Sequence, residues 1–110
     1  MRQSLLSYRC LILACLTSML ALPALAAAAR VDVAIAGLQF TPATVTVHVG
    51  DTVVWTNNDD RDHSVVAADK SFKSANIKSG QKFEFTFTKP GAFVYGCSYH
   101  PRMKGTVVVK

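Results

Sequence analysis

Cys97, His100 and Met103 stand three residues apart near the carboxyl end of this 110-residue chain, between two apolar runs at Ala92 to Gly96 and Thr106 to Val109. A thiolate, an imidazole and a thioether are soft or borderline donors. Two histidines and one cysteine with a weak, long methionine form the ligand set of an electron-transferring copper centre. The loop itself holds one histidine, and His63, upstream after a polar turn, supplies the second. The loop spacing has a chemical rationale. A cysteine at a strand end is held rigidly, two intervening residues let His100 turn back, and Pro101 fixes φ and tightens the return toward Met103.

Each donor taken singly has a plainer reading. His63 alone is a solvated loop residue, Met103 alone fills a core, and Cys97 alone is a small buried hydrophobe. Their joint spacing favours a metal. Structural zinc prefers four Cys or His donors and thioether is a poor zinc ligand, so Met103 argues for copper. A nucleophilic Cys97 activated by His100 would need an oxyanion-stabilising element and a third orienting residue, and neither is recognisable. His48 alternates with Val47 and Val49 and is expected to face outward, and Trp55 is expected in the core.

These donors must be positioned by strands. From Val31 onward apolar residues recur with period two: Val45, Val47 and Val49, then Val53 and Trp55, then Phe83, Phe85 and Phe87. Gly50-Asp51, Asn57 to Asp62, Ser79-Gly80 and Lys89-Pro90-Gly91 are turn signals. No helix longer than a turn is expected. Six or seven short strands at this spacing predict an all-β, antiparallel β-sandwich with Greek-key connections, with the stretch from Ala67 to Lys78 as an irregular crossover. Successive turns of such a sandwich fall at alternate ends. The strand Ala92 to Gly96 climbs to the Cys97 loop and Thr106 to Lys110 descends from it, while Thr44 to Val49 descends and Thr52 to Asn57 climbs. If both climbing strands end at one pole, His63 meets the loop there. Phe93, Tyr95 and Cys97 share one strand face, so aromatic packing should keep water from the sulfur.

Residues 1–26 read as a secretory signal, with Arg2 and Arg9 before a largely apolar run from Leu11 to Leu25 and the small-x-small site Ala24, Leu25, Ala26. An uncleaved anchor and a lipoprotein box at Cys15 fit that run less well. Residues 27–110 then form one small domain, for which burial alone is marginal and a bound metal would help. Cys10 and Cys15 leave with the signal, so Cys97 is the exported domain's one thiol and no disulfide forms. An oxidising compartment makes a lone thiol a liability unless it is buried or bound. Twelve Lys and Arg face seven Asp and Glu in the whole chain, and removing Arg2 and Arg9 leaves ten against seven. The lysines are dispersed, so nucleic-acid binding has little support and a weak preference for acidic partners is the most that charge implies.

Cys97-Ser98-Tyr99-His100-Pro101-Arg102-Met103, preceded by Asp62-His63-Ser64-Val65-Val66, resembles the type 1 blue-copper site of the cupredoxins. The short loop is most similar to that of the amicyanins, with plastocyanins and pseudoazurins as longer-range relatives. The resemblance implies a cupredoxin-like Greek-key sandwich holding one Cu ion that cycles between Cu(I) and Cu(II). His63, Cys97 and His100 would be the equatorial ligands and Met103 the axial one, with the edge of His100 as the electron gateway. Together with the signal and the dispersed charge, it leads to the expectation of a periplasmic monomer that is no enzyme, meets donor and acceptor proteins transiently, binds no nucleic acid and does not insert its mature domain in the membrane. A copper buffering or delivery protein is the alternative for the same ligands. The family often has Asn after the first His, bracing the two ligand loops by hydrogen bonds. Ser64 stands there in this chain, and Tyr99 and Arg102 replace the small or apolar residues usual around the exposed ligand.

Overall fold

The computed structural model describes residues 27–110, so the signal assigned to residues 1–26 lies outside the described residues. Eight strands follow in order: β1 Arg30–Ala36, β2 Gln39–Thr41, β3 Thr44–Val47, β4 Thr52–Asn57, β5 Val66–Ala67, β6 Lys82–Thr86, β7 Gly91–Gly96 and β8 Lys104–Val109. They form two four-stranded sheets, β2-β1-β4-β6 and β3-β8-β7-β5. The count exceeds the expected six or seven because β2 and β5 are three and two residues long, too short to show a period.

Pairing is mixed, not antiparallel throughout. β1 runs parallel to β4, from Arg30↔Thr52 to Ile35↔Asn57, and β3 runs parallel to β8, from Thr44↔Thr106 to Val47↔Val109. Strand direction accounts for this. β3 and β8 both descend from the Cys97 pole, so once they are neighbours they can only pair in parallel. The chain changes sheets between β2 and β3 at Pro42, which has no N–H to give to a ladder.

The facing sides of the sheets are apolar and hold an aromatic cluster. Trp55, fully buried, meets Tyr95 edge-on at 5.3 Å between ring centroids and stacks on Phe72 at 5.9 Å. Such pairs add about 0.5–1.5 kcal/mol each beyond area burial. Phe72 and Ile77 come from the irregular segment expected as a crossover, which therefore plugs the core. Gly105 is needed for close approach, because a Cβ there would lie 2.3 Å from Tyr95 Cζ and Oη on the neighbouring strand.

Two valines depart from the alternation. Val49 is half exposed because β3 ends at Val47 and residues 48–51 turn. Val54 points away from the sandwich interior yet is buried. Arg30 on β1 reaches across β4 to Glu84 on β6, which stands in register with Val54, so this ion pair roofs the valine.

Candidate metal centre

Three connections converge at one pole: the β1–β2 turn at Gly37-Leu38, the segment from Asn58 to Val65, and the loop from Cys97 to Met103. Asn57, with no exposed surface, shapes the second of these. Its Nδ2 donates to the Arg61 carbonyl at 2.7 Å and to the Ile77 carbonyl at 2.8 Å, while its Oδ1 accepts from the Asp59 N–H at 2.9 Å. Reciprocal backbone bonds between His63 and Ile77, at 3.1 and 2.8 Å, then fix the position of His63. Cys97 follows the last residue of β7 and Met103 precedes the first of β8. The Met103 N–H donates to the His100 carbonyl at 3.0 Å and closes the turn.

His63 has no exposed surface, Cys97 and Met103 are buried, and His100 is half-buried. His63, Cys97 and His100 bring donor atoms within 4.8 Å of one another, although 34 residues separate the first two. Cys97 Sγ lies 3.8 Å from His63 Nδ1 and 3.7 Å from His100 Nδ1. An ion at the centre of such a triangle, with bonds of about 2.0 Å to imidazole and about 2.3 Å to thiolate, requires sulfur–nitrogen separations of about 3.7 Å at 120°. The donor set fits a first-row metal ion in a trigonal arrangement. Met103 places a thioether donor on the same loop.

The sulfur is prepared as a thiolate. Burial pushes the Cys97 thiol up, but contact with His100 and the N–H groups of Ser64 and Tyr99 outweigh it and bring the pKa from 9.0 down to about 6. The Ser64 N–H donates to Sγ at 3.4 Å. Ser64 Oγ accepts from the Ser98 N–H at 2.8 Å and lies 3.1 Å from Ser98 Oγ, so this serine ties the His63 segment to the Cys97 loop.

Asp59 was not legible as a site residue, being one of three aspartates in a polar turn. Its Oδ2 lies 2.8 Å from His63 Nε2, and its two oxygens accept from Gly37 N and Leu38 N at 2.7 and 3.1 Å. Burial raises its pKa, but these N–H donors and the His63 contact hold the carboxyl below its ordinary value. The signal available in the sequence was its place four residues before His63.

The cupredoxin-like domain family matches residues 9–109. The chain belongs to the cupredoxin family. Amicyanin of Paracoccus denitrificans is 36% identical over 81 residues, which cover 69% of this chain and 62% of that protein. Amicyanin-alpha of Methylorubrum extorquens is 34% identical over 90 residues, covering 77% and 76%. Chloroplastic plastocyanin of Tetradesmus obliquus is 32% identical over 105 residues, covering 83% and 72%. Among solved structures, a Cu(I) form of an amicyanin mutant superposes with a TM-score of 0.69 at 35% identity, covering 74% of this chain and 82% of that one. A copper-containing nitrite reductase from Thermus scotoductus superposes with the same TM-score at 35% identity, but the match covers only 22% of the reductase. This cupredoxin chain thus corresponds to one portion of that enzyme. No helix among the described residues is long and apolar enough to cross a membrane.

Proposed function

We propose that this cupredoxin is a one-electron carrier of the exported, periplasmic space, in which His63, Cys97, His100 and Met103 would hold one copper ion. The observation that carries the reading is the meeting of two imidazole Nδ1 atoms and one thiolate at separations suited to a planar three-donor site. Copper, when bound, would supply a couple between Cu(I) and Cu(II), which imidazole, thiolate and thioether donors can serve in both states. The chain's own residues do the rest. Ser64 and Ser98 tie the two segments together, Cys97 is itself buried, and the half-buried His100 lies between the exposed Tyr99 and Pro101. A surface groove of about 530 Å³ adjoins it, lined by Leu38, Tyr99, Pro101 and Met103 among others. Such a small apolar rim suits brief encounters with donor and acceptor proteins.

The carrier reading is tested against copper delivery by retention. Purified protein loaded with one equivalent of copper is cycled between a mild reductant and oxidant in the presence of a copper chelator of intermediate affinity. A carrier keeps its copper and its thiolate-to-copper absorption over many cycles. Progressive transfer to the chelator in the reduced state would contradict the carrier reading and leave the delivery reading standing.

A further inference from the structure

Asp59 faces three groups that belong to different jobs. The His63 ring presents Nδ1 to Cys97 Sγ at 3.8 Å and Nε2 to Asp59 Oδ2 at 2.8 Å. An ionised carboxylate only accepts, so the hydrogen of this contact sits on Nε2. The same carboxylate accepts from the N–H groups of Gly37 and Leu38. Both turn residues are left-handed, at φ 58° and 59°. Glycine adopts that conformation freely, whereas for leucine it costs about 1–2 kcal/mol. The strained leucine is also conspicuous at the surface. Leu38 is 42% exposed and Tyr99 55%, and both line the groove that opens beside His100.

We propose that Asp59 is a positioning residue with two outputs: it keeps the hydrogen of His63 on Nε2, leaving Nδ1 as the donor atom toward Cys97, and it holds Leu38 in the left-handed turn that sets an apolar side chain on the rim beside His100. One carboxylate therefore fixes both the buried ligand and part of the docking rim. Carboxylate partners of this kind orient ligating imidazoles and raise their basicity. The proposal rests on the carrier reading for its consequence, but its structural half stands without copper.

Nitrogen-15 NMR of the metal-free full chain reads that half directly. His63 Nε2 should carry a hydrogen protected from solvent exchange, and the Leu38 amide should be protected with it. In Asp59→Ala both protections should fall together, while the amide of Ala29, at the other end of β1, should keep its own. Asp59→Asn, with one accepting oxygen instead of two, should give an intermediate loss. Copper-loaded Asp59→Asn should then show a higher reduction potential than the parent, because a negative partner of the imidazole favours Cu(II). A His63 ring without hydrogen on Nε2 in the unaltered protein would overturn the proposal, whatever the variants do. So would an Asp59→Ala variant with unchanged Nε2 and Leu38 protection. If copper produces no thiolate absorption in any form while the protections behave as expected, the carrier reading fails and the positioning role survives.

Discussion

Each pole of the sandwich carries an aspartate that accepts two backbone N–H groups and faces a histidine, yet only one of these histidines meets further candidate donors, Cys97 and His100. At the lower pole Asp51 accepts from Ala29 N and His48 N, both at 2.8 Å, and so ties the start of β1 to the β3–β4 turn. The His48 ring stands 3.8 Å from that carboxylate with its side chain 80% exposed. At the upper pole Asp59 makes the same kind of double amide capture, but its histidine has no exposed surface and its second nitrogen faces the Cys97 sulfur. The local pairing of Asp and His is therefore common fold chemistry. What separates the poles is burial and the arrival of two further donors from a loop 34 residues away.

That contrast is broken most severely at Cys97. Cys97→Ala should abolish the visible thiolate-to-copper absorption and with it the rise in melting temperature on adding copper, a stabilisation of about 4 kcal/mol when the ion is at a thousandfold excess over its Kd. Differential scanning calorimetry with and without copper checks this, and a copper-induced shift that persists in the variant would sink the assignment of the sulfur. Next in size is Gly105→Ala, beneath the upper pole. The added Cβ collides with Tyr95, two residues before Cys97, and overpacking of this kind costs about 1–3 kcal/mol. Urea denaturation should show that loss, accompanied by a changed copper spectrum, whereas unchanged stability would mean that the ring has room to move.

Asp51→Asn sharpens the comparison by pH. The N–H groups of Ala29 and His48 hold the Asp51 carboxyl below its ordinary 3.8. Because the folded pKa is the lower one, its contribution to stability is complete above the unfolded value and is lost as pH falls through the folded value. The unaltered protein should thus melt higher than Asp51→Asn near neutrality, with the gap closing below about pH 4, and copper absorption should be the same in both. A gap that widens on acidification would contradict the sign. The smallest effect belongs to His48→Ala, expected to change stability by less than about 0.5 kcal/mol and copper affinity not at all. Any spectral change in that variant would mean that the two poles are less distinct than their burial indicates.

Much of this arrangement was legible because it is local. Period-two runs place β4, β6 and β7, and the Cys-x-x-His-x-x-Met spacing places three donors on one loop without any knowledge of neighbours. The meeting of His63 with Cys97 followed from strand direction only on the condition that two climbing strands end at one pole, which is a statement about the whole topology. Features that depend on non-neighbouring partners were out of reach. The parallel pairing of β1 with β4 and of β3 with β8 needs strand order, the burial of Val54 needs the Arg30–Glu84 pair above it, and the β2 and β5 strands are too short to carry a period. Asp59 escaped for a related reason. Among Asp59, Asp60 and Asp62 nothing in the sequence tells which carboxylate turns inward, because that depends on buried Asn57 capturing the Asp59 N–H and on the Gly37-Leu38 turn arriving beside it. Ser64 was visible as a departure from the family pattern, but its bonds to Ser98 and Cys97 required the two segments in contact.

The most direct measurement is an optical titration of the metal-free protein with Cu(II). An intense visible thiolate-to-copper band should grow linearly, saturate at one equivalent and vanish on reduction by one electron. Absence of the band with the fold intact, or saturation at any other stoichiometry, would contradict a single copper centre built from His63, Cys97 and His100.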